Sequence, residues 1–202
     1  MTKSIIVAID EQDKASFNTL GNDIIYSAAS KGFDIFLDLK LHDIPNTVKK
    51  SIQGLSSLPI KMLTIHTSGG RLMMESAMEA IKGTDIKVFG VTALTSLSDI
   101  DTNQIYQRTA ADQVNTMLDI AEEAKIDGVV CSPHELDLVT ARGSLLSITP
   151  GIRLSDLNDD QTRVMTPKQA IDLGANYLVI GRPITNSPNP LKELQSINNS
   201  LE

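Results

Sequence analysis

Short β-branched runs alternate with longer amphipathic segments along the whole of this 202-residue chain. Because a strand followed by a helix packs as a βα unit, this alternation predicts a parallel sheet covered by helices. The apolar runs are continuous rather than alternating, which is typical of strands that are buried on both faces. Seven strands are predicted, at Ser4 to Ile9, Asp34 to Leu39, Lys61 to His66, Ile86 to Val91, Ile126 to Cys131, Ser144 to Thr149 and Asn176 to Gly181.

Helical patterns occupy the segments between and after these strands. Glycines near the ends of several segments, and prolines in the first turn of others, are typical of helix boundaries. The predicted helices lie at roughly residues 12–20, 22–31, 46–57, 71–82, 103–124, 133–142, 167–173 and 188–197.

Two architectures fit this alternation. An open doubly wound sheet normally has a glycine-rich phosphate turn after its first strand, but residues 7–12 contain no glycine. A (β/α)8 TIM-type barrel places polar residues at the carboxyl ends of many strands, as this sequence does. Only helical patterns lie between the first strand and the Asp34 strand, and they meet at Leu20-Gly21. Either the barrel is built on seven strands, or this sequence lacks the second strand that an eight-stranded relative would have. We expect a single (β/α)-barrel domain over residues 1–202.

Composition excludes several classes of function. The chain has 18 Lys and Arg against 25 Asp and Glu, and its formal net charge of −7 argues against a nucleic-acid partner bound by bulk charge. The longest apolar run, Ile5 to Ile9, is far too short to cross a bilayer. No signal-peptide pattern is present, which predicts a cytoplasmic protein. Cys131 is the only cysteine, and His42 and His134 are too isolated to form a metal set, so no metal site is expected.

The densest polar group runs from Asp38 to Thr47. Asp38 and Lys40 are two apart on a predicted strand, which would point both side chains to one face of the sheet. In a barrel that face is the interior, where an acid beside a base is at least mutually compensated. Their position at a strand's carboxyl end is where barrel enzymes keep their active sites.

A second polar group ends the last strand at Gly181-Arg182. The final loops of barrels commonly bind phosphate, and an arginine fork matches the geometry of a phosphate group. The polar segment from Ser155 to Arg163 is interpreted as a mobile lid over that end of the site.

The motif Asp38-x-Lys40-x-x-Asp43, continued by Ile44-Pro45-Asn46-Thr47, resembles the signature of the orotidine 5'-phosphate decarboxylase family. The resemblance extends over nearly the whole chain. It includes the blocks Val7-Ala8-Ile9-Asp10, His66-Thr67-Ser68-Gly69-Gly70, Val91-Thr92-Ala93-Leu94-Thr95-Ser96, Pro150-Gly151-Ile152-Arg153, Gln161 and Gly181-Arg182-Pro183-Ile184.

The resemblance implies a barrel that decarboxylates a pyrimidine nucleotide without metal or organic cofactor. It gives Lys40 the role of proton donor, places Asp38 against the substrate carboxylate, and has Asp43 reach into the partner subunit of a homodimer. The substrate-binding residues that it implies are Asp10, Thr47, Thr95, Arg153, Gln161, Gly181 and Arg182.

The sequence departs from the family at one point, because the second-strand lysine of a Lys-Val-Gly segment has no counterpart here. Two alternatives therefore stay open. One is a catalytically inactive protein that still binds the phosphate of a nucleotide. The other is a sugar-phosphate decarboxylase or synthase of the same suprafamily.

Overall fold

The computed structural model describes residues 4–8, 23–94, 97–153 and 165–201. The chain forms two compact units. The first comprises residues 10–92 and 117–128, and the second comprises residues 1–9, 93–116 and 129–202.

The described strands are β1 (Ser4–Val7), β2 (Phe36–Leu41), β3 (Met62–His66), β4 (Lys87–Val91), β5 (Gly128–Val130), β6 (Leu146–Thr149) and β7 (Tyr177–Ile180). The described helices are α1 (residues 23–30), α2 (Pro45–Leu55), α3 (Arg71–Ala80), α4 (Asp99–Tyr106), α5 (Ala110–Glu123), α6 (Leu136–Thr140), α7 (Pro167–Asp172), α8 (Arg182–Thr185) and α9 (Pro190–Ser200), with 3₁₀ turns at Thr67–Gly69 and Pro133–Glu135.

The first unit is built on three parallel strands. Strand β3 lies between β2 and β4, and its register with β4 is unbroken from Met62 opposite Lys87 to His66 opposite Val91. Helices α2 and α3 pack on each other beside these strands. The core follows the predicted pattern, since Leu63, Ile65 and Phe89 of the strands are fully buried. The amphipathic periodicity of α3 likewise buries the side chains of its helix face, Met73, Met74 and Ala77.

In the second unit the first strand of the chain pairs with the last. Strand β1 runs parallel to β7, with Ile5 opposite Leu178, and β7 also pairs with β6. The backbone N–H of Cys131, just after β5, donates to the carbonyl of Ile148 in β6. Pairing of the first and last strands is how a (β/α) barrel closes, whereas an open doubly wound sheet keeps its first strand inside.

The structure bears on two sequence predictions, a helix over residues 103–124 and a missing strand before β2. The helix predicted over residues 103–124 is wrong in detail, because α4 and α5 are separate helices. Gln107 takes a left-handed conformation after α4, and the Asp99 carboxylate accepts a hydrogen bond from the Ala110 N–H at the start of α5. Among the described residues no strand lies between β1 and β2, and the predicted gap near Leu20-Gly21 lies outside them.

Candidate active site

Strand β2 is interrupted by a bulge at the position of the charged motif. Leu37 pairs with Leu63 and Leu41 pairs with Ile65, so three residues of β2 stand opposite the single residue Thr64 of β3. Lys40 takes up the extra length with a φ of 50°, in the left-handed region that non-glycine residues rarely adopt. Bulges and strained residues of this kind are common beside active sites, where they direct a side chain.

The bulge holds Asp38 and Lys40 together as an ion pair. The Lys40 ammonium donates to Asp38 Oδ2, and both side chains keep more than 40% of their surface exposed, at 42% for Lys40 and 44% for Asp38. The predicted pairing of the two side chains is therefore confirmed, but the reason given for it is wrong. Regular extended spacing does not bring them together, because Lys40 leaves the extended conformation.

Thr64 lies under this ion pair in the middle of β3. Its hydroxyl donates to Asp38 Oδ1 at 2.7 Å and accepts from the Lys40 backbone N–H at 2.9 Å. The Thr64 side chain is fully buried. Both oxygens of the Asp38 carboxylate are thus occupied, one by a hydroxyl of the neighbouring strand and the other by the Lys40 ammonium.

Two histidines stand at the carboxyl ends of β2 and β3. The rings of His42 and His66 are 5.4 Å apart between centroids and tilted by 42°. Burial lowers the pKa of His66 below its ordinary value, and the neighbouring His42 and Lys40 lower it further, against an opposing effect of Asp38. The charges of the Asp38–Lys40 pair therefore act on the His66 imidazole, and protonation of the ring to a second cation is disfavoured there.

Asp43 and Thr47 follow on the loop and first turn of α2, and both are exposed. Asp43 Oδ1 accepts a hydrogen bond from the Ile44 N–H at 2.7 Å. Pro45 occupies the first position of α2, where a missing N–H costs nothing. The helix start thus fixes the backbone of this segment while the Asp43 carboxylate stays accessible.

In the second unit, Gly181 and Arg182 follow β7 directly. A Cβ built on Gly181 would lie 3.4 Å from the Ala8 Cβ, in van der Waals contact, so this turn packs directly against the residue that follows β1. Arg182 begins the short helix α8 and its side chain is exposed. The placement at the carboxyl end of the last strand agrees with the sequence prediction.

Arg153 lies after β6 and is hydrogen-bonded to Met165. Ile152 and Met165 form a parallel bridge, in which the Arg153 N–H donates to the Met165 carbonyl and the Met165 N–H donates to the Gly151 carbonyl. Gly151 has a φ of 78°, which favours glycine. The described residues on either side of the segment predicted to be a lid are therefore hydrogen-bonded to each other.

Comparison with known proteins decides the family. Residues 6–197 match the model of the orotidine 5'-phosphate decarboxylase / HUMPS family. The chain belongs to this family. A protein of Saccharophagus degradans named orotidine 5'-phosphate decarboxylase is 46% identical over 192 residues, which cover 91% of this chain and 80% of that protein. A protein of the same name from Staphylococcus haemolyticus is 42% identical over 191 residues, covering 91% and 83%.

Solved structures of the orotidine 5'-phosphate decarboxylase family share the fold. The crystal structure of the orotidine 5'-phosphate decarboxylase from Lactobacillus acidophilus matches with a TM-score of 0.84 and 31% identity, over 99% of both chains. The enzyme of that name from Thermotoga maritima matches with a TM-score of 0.71 and 26% identity, over 96% of this chain and 98% of the other. The predicted (β/α)-barrel class is thereby confirmed.

The decarboxylase motif residues fall into three groups. Asp38, Lys40, Asp43 and Thr47 lie in the first unit, and Arg153, Gly181 and Arg182 lie in the second. Asp10, Thr95 and Gln161, like the predicted lid from Ser155 to Arg163, lie outside the described residues. Within the described part of the chain, no group of three or more His, Cys, Asp or Glu side chains could hold a metal ion, and no helix is long and apolar enough to cross a membrane.

Sequence reasoning on this decarboxylase family member missed two residues. His66 was named only as a strand end and as part of a resembling block, yet its pKa responds to the charges of Lys40 and Asp38. Thr64 was counted only as part of a strand. A signal for Thr64 was present, since a hydroxyl stands between the apolar residues Leu63 and Ile65 in an otherwise buried run.

Proposed function

We propose that this chain is an orotidine 5'-phosphate decarboxylase, which converts orotidine 5'-phosphate to uridine 5'-phosphate and CO2 in pyrimidine nucleotide synthesis. The observation that carries the proposal is the Asp38–Lys40 ion pair on the bulge of β2, in a chain that shares more than 40% of its residues with proteins of that name. Half-exposed side chains at the carboxyl end of a barrel strand are accessible to a substrate.

The chemistry needs a cation and a proton at one carbon atom. Breaking the bond between C6 of the pyrimidine and its carboxylate leaves an electron pair on C6, and no adjacent carbonyl delocalises it. The Lys40 ammonium would stabilise the developing charge and then transfer its proton to C6, forming the C6–H bond of the product. Asp38 would lie against the departing carboxylate while it holds Lys40 in place. Neither step calls for a metal or an organic cofactor.

The phosphate of the substrate would bind at Gly181 and Arg182, which follow β7. The exposed guanidinium of Arg182 offers a planar fork for two phosphate oxygens, and Gly181 lets the backbone approach closely. Arg153 precedes the segment that would close over the ligand, and Gln161 belongs to that segment. Binding energy from this remote phosphate would then serve to position the reacting carboxylate. Asp10, Thr47 and Thr95 complete the proposed contacts to ribose and pyrimidine.

We further propose that the active unit is a cytoplasmic homodimer. Asp43 is exposed on the loop before α2, and its neighbour Ile44 leaves 66% of its surface exposed. Leu72 in the first turn of α3 is similarly exposed, at 65%. Exposed large apolar side chains suit a subunit interface better than solvent. In such a dimer Asp43 would complete the charge network of the partner's site.

The proposal is tested by following the decarboxylation of orotidine 5'-phosphate by ultraviolet absorbance. We expect turnover by the parent chain and a loss of at least about 10³-fold in kcat for Lys40→Ala, because the proton donor and the stabilising cation are removed together. Lys61→Ala is the matched control. Lys61 precedes β3 at the opposite end of the strand, where it pairs with Asp85 at 3.7 Å, and its removal should leave kcat unchanged. A folded parent that binds uridine 5'-phosphate without turnover would contradict the proposal.

A further inference from the structure

Thr64 connects the two groups of the charged pair by a single hydroxyl. In an ordinary parallel ladder the backbone N–H of each strand residue bonds to a carbonyl of the neighbouring strand. The bulge of β2 breaks that arrangement, because Asp38, Leu39 and Lys40 all stand opposite Thr64. The Lys40 N–H bonds instead to Thr64 Oγ1 at 2.9 Å.

The same oxygen fixes the Asp38 carboxylate. A hydroxyl has one O–H to donate and two lone pairs to accept, so Thr64 can donate to Asp38 Oδ1 and accept from Lys40 at the same time. The bond to the carboxylate is charge-assisted and short, at 2.7 Å. Thr64 itself is fully buried between Leu63 and Ile65, so its position is set by packing of the rigid strand β3.

We infer that Thr64 is a positioning residue, whose buried hydroxyl sets both the left-handed backbone of Lys40 and the orientation of the Asp38 carboxylate. Without this hydroxyl, the Lys40 N–H would lose its partner on β3, and among the described residues Asp38 would keep the Lys40 ammonium as its one side-chain partner. The inference deepens the proposed function and rests on it for its kinetic consequence, but the geometric part is independent of the reaction.

The test uses two variants of Thr64 in the full chain. Thr64→Val keeps the branched shape that suits a buried strand and removes both hydrogen bonds, whereas Thr64→Ser keeps the hydroxyl. We expect kcat to fall by about 10²-fold in Thr64→Val, because a displacement of reacting groups by about 1 Å has an effect of this size, while KM changes by less than about threefold. Thr64→Ser should recover most of the lost kcat.

Thr102→Val is the matched control. Thr102, in α4, is also fully buried, and its hydroxyl donates to the carbonyl of Ser98, just before the helix. It lies far along the chain from the charged pair. Loss of a buried hydroxyl alone should therefore leave kcat close to that of the parent. A kcat for Thr64→Val within about twofold of the parent, with KM unchanged, would overturn the inference, since positioning effects of this kind are expected to be far larger.

Hydrogen exchange at the Lys40 backbone amide separates this inference from the proposed function. The amide should exchange faster in Thr64→Val than in the parent, and at the parental rate in Thr64→Ser and Thr102→Val. If the parent proves inactive, the proposed function fails, and the exchange result alone decides whether Thr64 positions the pair. An unchanged exchange rate at Lys40 in Thr64→Val would then overturn the inference.

Discussion

His66 shows how a single residue reports the electrostatics of the site. Burial disfavours protonation of its imidazole, the neighbouring His42 and Lys40 disfavour it further, and the Asp38 carboxylate opposes them. The pKa of His66 is consequently lowered from its ordinary value of 6.5. A neutral ring at that position leaves Lys40 as the cation beside Asp38, which is the charge state that the proposed proton transfer needs.

The lowered pKa of His66 predicts a pH dependence of stability. As the pH falls, the unfolded chain binds a proton at this histidine before the folded chain does, so the free energy of unfolding decreases as the pH falls below the ordinary value of 6.5. In His66→Asn that contribution disappears, and the decline of stability on acidification should be shallower. Denaturant titrations between about pH 7 and pH 5 measure the two slopes. The control is His134→Asn, at an exposed position in the 3₁₀ turn after β5, and its slope of stability against pH should equal that of the parent. Equal slopes for His66→Asn and the parent would contradict the prediction.

At the scale of elements, the sequence predicts the positions of strands better than their local geometry. Continuous apolar runs and glycine at helix ends are local signals, and the strands from β2 to β7 appear where those signals place them. The bulge of β2 depends on Thr64, which lies 24 residues after Lys40, so no window around the motif contains its cause. The break between α4 and α5 likewise depends on the non-local bond from Ala110 to Asp99. Tertiary contacts of this kind override local propensity.

Strand β4 contains a glycine whose lack of a side chain is required by packing. A Cβ at Gly90 would stand 2.5 Å from Thr67 Cγ2 and 2.8 Å from Ile126 Cδ1, both of them in buried side chains. Gly90→Ala should therefore lower the free energy of unfolding by about 1–3 kcal/mol, the usual cost of overpacking a core. Thr67→Ser removes the closest methyl while it keeps the hydroxyl that donates to the Val91 carbonyl, so the double variant should be less destabilised than the sum of the single ones.

Gly54→Ala should change the free energy of unfolding in the opposite direction from Gly90→Ala. Gly54 lies inside α2, and nothing stands within 4 Å of a Cβ built there. The substitution should raise the free energy of unfolding by about 0.5–1 kcal/mol, because alanine loses less backbone entropy than glycine in a helix. For Gly90, the free energies of unfolding of the single and double variants are measured by chemical denaturation. If the effects of Gly90→Ala and Thr67→Ser simply add, contact with the Thr67 methyl is not what destabilises Gly90→Ala.

At the scale of the whole molecule, two properties decide what sequence alone can establish. The barrel class was predictable, because the absence of a glycine-rich turn after β1 and the polar strand ends favoured a barrel over an open doubly wound sheet. The exposure of apolar residues such as Ile44 could not be predicted from pattern alone, because it becomes apparent only when burial is known.

The proposed dimer makes a prediction that no monomer could satisfy. If Asp43 of one subunit completes the site of the other, Lys40→Ala and Asp43→Ala each inactivate every site of a homodimer. In a mixed dimer of the two variants, however, one site carries both substitutions and the other carries neither. Random exchange of subunits between equal amounts should restore about one quarter of the parental activity, because half of the dimers are mixed and each has one intact site of two.

The measurement is a mixing experiment in which the two purified variants are incubated together and assayed for decarboxylation over time. Lys40→Ala mixed with Lys61→Ala is the control, and it should show no gain beyond the activity that Lys61→Ala contributes, because Lys61 lies outside the proposed site. Mass measurement in solution should give about twice the 21.9 kDa of one chain, as a symmetric dimer requires. A dimer that exchanges subunits without any gain in activity would place Asp43 in the site of its own subunit, and a monomeric parent with full activity would exclude a shared site altogether.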